Sequence, residues 1–419
     1  MANDGRSMLR PYPERSLAGG SVMEMWKDTS EAAKKERWRA LWAMDDLPRP
    51  LWFIPATPVL AVATNWLFNK RSLTALFSDR DVQYAESMKF NRFFSVAQKI
   101  WSRDDFVLHL QPQMGVGVFA SAFGCRIKFP HDQFPWSYSV IGPNDSADRV
   151  MEMETPDVRA GLLGDLLDFA ETFDRRAKGR YPIAMTDLQG PLDTAYLVWD
   201  SCAFMMAMYD RPEAVHRLMR MVTDVIIKFA REMKARVREF VPAHFPPVYL
   251  PDGGGICVSE DALAVISAPL WEKFSLPYLN ELSEEFGGIV IHSCGNFRHQ
   301  LDAIAKVRGL RGINFGVSET DFEAVWQKFG GKIAVIPHCS AERIVANFKN
   351  AKEWVAHVMA KKTTNRGLAL MVYPIVGDVH KQSLSLALDR KVEDLSKMDF
   401  ALLGRDLRRM IGGGGEIKN

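Results

Sequence analysis

A (β/α)8 barrel, an α/β fold of eight parallel strands wrapped by helices, is what this sequence predicts. Three observations carry that expectation. Eight short apolar runs recur along the chain. Most of the intervals between them show helical periodicity. The runs are continuously apolar rather than alternating, as parallel strands covered on both faces are. At 419 residues the chain has room for such a barrel with additions.

The start, MANDGRSMLRPYPERSLAGG, is polar with Gly and Pro; it reads as a loose arm and lacks the apolar stretch of a signal peptide. Residues 23–44 read as a charged amphipathic helix, stopped by Asp45-Asp46-Leu47-Pro48-Arg49-Pro50. The strand candidates are 51–56 (LWFIPA), 105–111 (DFVLHLQ), 183–188 (IAMTDL), 247–251 (PVYLP), 289–292 (IVIH), 312–315 (GINF), 332–336 (KIAVI) and 368–373 (LALMVY). Helical segments are expected at 212–240, opening on Pro212, and at 269–286, 297–307, 320–329, 341–362 and 380–390. The long interval 112–180 contains GVGVFASAFGCRIKF and reads as a strand-rich insertion after the second strand. The expected organisation is an N-terminal arm and helix (1–48), one barrel domain (49–410) and a flexible tail (411–419) with four successive glycines. A doubly wound open sheet with a small cap is the competing architecture.

Composition narrows the class. Hydrophobic residues make up 47% and charged residues 25%, which excludes a disordered, collagen-like or coiled-coil chain. Lys and Arg total 53 against 51 Asp and Glu, with no basic stripe, so no nucleic-acid partner is expected. No apolar run reaches the length of a membrane span. Five scattered cysteines, an odd number, do not make a disulfide framework and fit a reducing, cytoplasmic setting. The 25 Phe, 11 Trp and 20 Met suit a large core better than a dedicated aromatic cavity.

In a parallel barrel, ligands meet the carboxyl ends of the strands, so chemistry is sought after each apolar run. Asp187 and Gln189 end the third run, and Asp252 with Gly253-Gly254-Gly255 follows the fourth. His292-Ser293-Cys294-Gly295 ends the fifth, Ser318-Glu319 follows the sixth, His338-Cys339 the seventh, and Tyr373 closes the eighth. His292 and Cys294 are two apart, so both side chains can face one way where the strand ends. Imidazole and thiolate together suit Zn2+. Glu319 and Cys339 lie at the next two mouths as further candidate ligands; a solvated loop acid and a small buried thiol are the ordinary alternatives. The triple glycine lacks the Lys of a P-loop and is better read as close approach of a bulky ligand. Asp187 and Asp252 are candidates for orienting substrate. Trp52, Tyr249, Phe315 and Tyr373 either line a pocket or simply pack.

Three stretches resemble the uroporphyrinogen decarboxylase superfamily, specifically its cobalamin-dependent methyltransferase branch. They are LQGPLDTAYLVWDSCAFMMAMYDRPEAVHRLM (188–219), ISAPLWEKFSLPYLNEL (266–282) and IVIHSCGNFRHQLDAI (289–304), the last with a His-x-Cys-Gly motif. The resemblance implies a barrel fold and zinc held by His292 and Cys294, with a carboxylate near the next strand, Glu319. It also implies a Cys at the last strand, where this sequence reads Met371-Val372-Tyr373-Pro374. Either Cys339 substitutes, or three protein ligands leave the metal more open. The decarboxylase branch carries an Arg-rich stretch after its first strand; here 55–66 is PATPVLAVATNW, without Arg.

The implied activity is methyl transfer between a small substrate of methoxy-aryl or methylamine type, or a thiol, and the cobalt of cobalamin. No Asp-x-His-x-x-Gly signature is present, so the cobalamin is expected on a separate corrinoid protein. A homodimer is compatible with the sequence. A non-catalytic barrel that binds corrinoid or a small ligand is the alternative of a different class.

Overall fold

The computed structural model describes residue 26 and residues 28–55, 73–131, 133–339, 347–348, 351–372 and 400–411. Six parallel strands form the main sheet: β1 (Leu51–Phe53), then β10 (Ala369–Met371), β9 (Ala334–His338), β8 (Leu310–Gly316), β7 (Ile289–Ser293) and β6 (Ile256–Ser259), in that spatial order. β2 (Arg126–Lys128) and β3 (Trp136–Tyr138) form a separate antiparallel hairpin, and β4 (Ile183–Ala184) pairs with β5 (Phe240–Val241).

Further bonds carry the sheet round into a ring. Gln189 bridges Ser259 in parallel, Leu110 bridges Ile183, and the Asp105 amide donates to the Trp52 carbonyl at 2.8 Å. The barrel therefore runs β1, the segment around 105–110, β4 with its continuation to Gln189, then β6 to β10 and back to β1. β5 is wedged between β4 and β6 at the amino end, where the Cys257 amide donates to the Pro242 carbonyl. Every residue of β1, β6, β7, β9 and β10 is buried. This is the both-faces burial that the continuous apolar runs imply.

Two expectations are corrected. Residues 247–251 are not a strand: Pro246, Pro247 and Pro251 remove the donors a ladder needs. The fourth barrel strand is instead Ile256–Ser259, just past the glycines. Gly255 adopts φ +113°, and a Cβ there would lie 2.6 Å from the Gly288 carbonyl oxygen. The glycines thus let the starts of β6 and β7 approach each other. The insertion after the second strand is also less strand-rich than expected: besides the β2–β3 hairpin it holds short helices and the longer helix Leu163–Ala177.

The N-terminal helix, α1 (Glu31–Trp42), is narrower than the expected 23–44. Ser30 caps it by accepting from the Ala33 amide. It closes the amino end of the barrel rather than hanging off it. The Trp38 and Trp42 indoles donate to the Asp105 and Tyr249 carbonyls, both at 2.8 Å. Arg37 lies 2.7 Å from the fully buried Asp105, which Arg49 also contacts at 2.8 Å. α2 (Pro212–Arg236) opens on Pro at its first turn and buries a long stripe including Val215, Leu218, Val222 and Phe229. α3 (Leu276–Phe286) packs in the same way on β6 and β7, and α4 (Phe322–Phe329) on β9. The expected helix 380–390 and tail 412–419 lie outside the described residues, as does 341–346. No described helix is long and apolar enough to cross a membrane.

Candidate metal centre at the carboxyl end of the barrel

Register brings the site together. Ser259, His292 and Asn314 are successive Cα partners across β6, β7 and β8, so their side chains share one face. His292 is buried, and its Nδ1 lies 2.7 Å from Asn314 Oδ1. The Asn314 amide nitrogen donates to the Ile336 carbonyl. That bond fixes which end of Asn314 is the oxygen, so His292 must carry its proton on Nδ1 and present a bare Nε2. Nε2 lies 3.4 Å from Cys294 Sγ and 3.9 Å from Asp261 Oδ1.

One ligand atom from each of Asp261, His292 and Cys294 thus falls within 4.8 Å of the others. A tetrahedral zinc would set its nitrogen and sulfur donors about 3.5 Å apart. The donor set of carboxylate, imidazole and thiol fits that metal and leaves one position of a tetrahedron over.

Local structure holds each donor. Asp261 follows β6, and its Oδ1 accepts from the Cys294 amide at 2.6 Å. Its own amide and that of Ala262 donate to the buried Asp193 at 2.6 and 2.8 Å. Cys294 leads into Gly295, whose φ of +80° turns the chain away where a side chain would be strained. Burial holds His292 below its ordinary range, against the Asp261 charge and the Asn314 bond, so the ring is neutral. Burial first, and then the Asp261 and Glu319 charges, push the Cys294 thiol up. A cation among these groups would reverse that and favour thiolate.

The other expected residues are distributed as follows. Glu319 stands at the next mouth, as the strand arithmetic implies. Its carboxylate accepts from the Gly295 amide at 2.9 Å, which places it behind the His-x-Cys turn rather than in the three-donor group. Cys339 directly follows β9 and is fully buried, its thiol pushed up to about 11 by burial, and is likewise outside that group. His338 faces the barrel beside His292, with ring centroids 5.9 Å apart. Burial and the neighbouring His292 push it down to about 3.

Asp187 does reach the mouth. It accepts from Gln189 Nε2 at 2.8 Å and lies 3.3 Å from His244 Nε2. Burial alone would raise its carboxyl, but His244, Gln189 and His292 outweigh it and the net displacement is downward.

Asp252 is a correction. It precedes β6, is exposed and pairs with Lys234 at 2.5 Å, so it belongs to the amino end, opposite the centre. Tyr249 is at the amino end as well, bonded to Glu239 and Arg39. Trp52 is fully buried, and Phe315 packs edge-on against Phe297 at 6.1 Å; both are core. Tyr373 lies outside the described residues.

Sequence reasoning missed Asp261 and His244. Both would have been found by reading strand ends, had Ile256–Ser259 and the short β5 been recognised as strands.

Residues 114–237 match the family model for uroporphyrinogen decarboxylase (URO-D), a span that includes the first of the three resembling stretches. No curated protein sequence matches the chain. Among solved structures, a methyltransferase from Methanosarcina mazei is similar with a TM-score of 0.57 and 13% identity, over 89% of this chain and 98% of that one. Xylanase B from Clostridium stercorarium F9 overlaps at a TM-score of only 0.28 and 10% identity, over 52% of this chain and 74% of its own. Residues 114–237 are thus similar to the uroporphyrinogen decarboxylase family, and the chain as a whole shares the barrel fold of the methyltransferase structure.

Proposed function

We propose that this protein is a zinc-dependent methyltransferase acting with a separate corrinoid protein. The methyl group moves between a small methylated substrate, or a thiol, and the cobalt of the corrinoid. The carrying observation is the convergence of Asp261, His292 and Cys294 at the carboxyl end of the barrel, with His292 Nε2 left bare by its bond to Asn314. Zinc held there would act as a Lewis acid on an oxygen, or keep a thiol as thiolate at neutral pH. Asp193 and Glu319 hold the two loops that carry the donors. Asp187 contributes a negative charge at the same mouth. The Methanosarcina mazei structure that shares this fold is itself described as a methyltransferase.

A decarboxylase acting on a polycarboxylate fits this mouth poorly. Asp187, Asp261 and Glu319 gather there, and like charges would repel such a substrate. Elemental analysis after mild dialysis tests the proposal, together with demethylation of methylcobalamin in the presence of a thiol, followed by absorbance. About one zinc per chain and zinc-dependent turnover are expected. Metal-free protein with native fold and full methyl transfer would refute it.

A further inference from the structure

We propose that His244 accepts the proton of a thiol that binds at the Asp261–His292–Cys294 group, through its Nδ1. The inference rests on the metal reading above and concerns a residue which that reading does not use.

His244 follows β5 and is only 6% exposed. Its Nε2 lies 3.3 Å from Asp187 Oδ1 and 3.4 Å from Ser259 Oγ. A carboxylate accepts and cannot donate, so Nε2 carries the hydrogen and Nδ1 bears the lone pair. Nδ1 is buried and, among the described residues, has no hydrogen-bond partner. A buried acceptor left so costs about 1–3 kcal/mol unless something bound at the site uses it.

The position suits that use. Ser259 is the Cα partner of His292, and the ring of Phe245, the next residue, meets the His292 ring edge-on at 4.5 Å. The other imidazoles at the mouth among the described residues are committed. His292 gives Nδ1 to Asn314 and turns Nε2 to the donor group, while His338 faces Asn314 at 3.4 Å. In the step, the S–H bond breaks and its electron pair stays on sulfur as thiolate. The proton goes to His244 Nδ1, and the resulting imidazolium pairs with the Asp187 carboxylate. A carboxylate–imidazole pair of this kind both orients the ring and stabilises its cation.

The test uses the full chain loaded with Co2+, with 2-mercaptoethanol as the probe. Calorimetry at pH 7 in two buffers of different ionisation enthalpy counts the protons released to buffer. Wild type should release close to none, because His244 keeps the proton. His244→Asn should release about one per thiol bound and bind the thiol more weakly, because the proton then has to leave the site, with its cobalt ligand-field bands unchanged. Equal proton counts with intact cobalt spectra would overturn the role of His244 and leave the metal reading standing. Should cobalt fail to bind wild type, the metal reading falls and this inference with it. If His244→Asn does not fold, Asp187→Asn is read instead: it keeps the ring but removes its anchor, and an unchanged proton count there overturns the inference.

Discussion

Replacing Asn314 by Leu probes the site through a residue that is not itself a candidate ligand. The two side chains share the same branched shape and number of heavy atoms, so the space between β7 and β9 stays filled, and the bulkier methyl groups add some overpacking. What is lost is polar. His292 Nδ1–H loses its acceptor at 2.7 Å, and the Ile336 carbonyl loses a side-chain donor. Each buried group left unpaired costs about 1–3 kcal/mol, so thermal stability should fall. Metal affinity should fall for a separate reason, because nothing then holds the proton on Nδ1 or the ring in place. Loss of such a supporting bond weakens metal binding about 10–100-fold, equivalent to about 1.4–2.7 kcal/mol. Asn314→Asp separates the two effects. It keeps an acceptor for His292 but sets a carboxylate against the Ile336 carbonyl, so stability should drop while zinc affinity is retained or rises. Competition with a chromogenic chelator gives the affinities, and thermal unfolding of the metal-free proteins gives the stabilities. Wild-type zinc affinity in Asn314→Leu would refute the assignment of His292 as a ligand held by Asn314.

The remaining predictions concern the other donors and the amino end. Cys294→Ser and Asp261→Asn should each lower metal occupancy well below wild type, whereas Cys125→Ser, Cys202→Ser and Cys339→Ala should leave it intact; equal loss in all five would mean the effect is on folding. Asp105→Asn strips the fully buried partner of Arg37 and should cost about 3–5 kcal/mol at pH 7. Burial alone would raise Asp105, but Arg49 and Arg37 hold it below its ordinary 3.8, so its contribution is present above that pH and is lost as pH falls through the lowered folded value. The gap between wild type and Asp105→Asn in denaturant titrations should therefore close below about pH 4, and a gap independent of pH would contradict the ion pairing. Gly255→Ala forces a side chain onto a φ of +113° against the Gly288 carbonyl and should lower stability by at least about 1–3 kcal/mol. Metal affinity in Gly255→Ala and in Asp252→Asn should match wild type; a loss in either would return the amino end to the site.

Much of the protein follows from local pattern alone. Seven of the eight barrel strands are visible as short apolar runs, because burial on both faces leaves a continuous signature that needs no partner to be read. His292 and Cys294 are visible for the same kind of reason: two donors two residues apart at a strand end must share a face, whatever lies beside them. The fourth strand escaped. ICVS is four residues long and follows three glycines, while PVYLP before it has a stronger apolar run but lacks a backbone donor at each end, at Pro247 and Pro251. That single displacement carried Asp252 to the wrong end of the barrel and hid Asp261. Which carboxylate joins His292 and Cys294 is a matter of tertiary structure. Asp261 and Glu319 each stand one strand away from the motif, and both accept an amide of the same turn, Asp261 from Cys294 and Glu319 from Gly295. Only the register of β6 against β7, and Asp193 reaching across from another helix, bring Asp261 among the donors and leave Glu319 behind the turn. Those are contacts between residues far apart in the chain, and no local pattern encodes them.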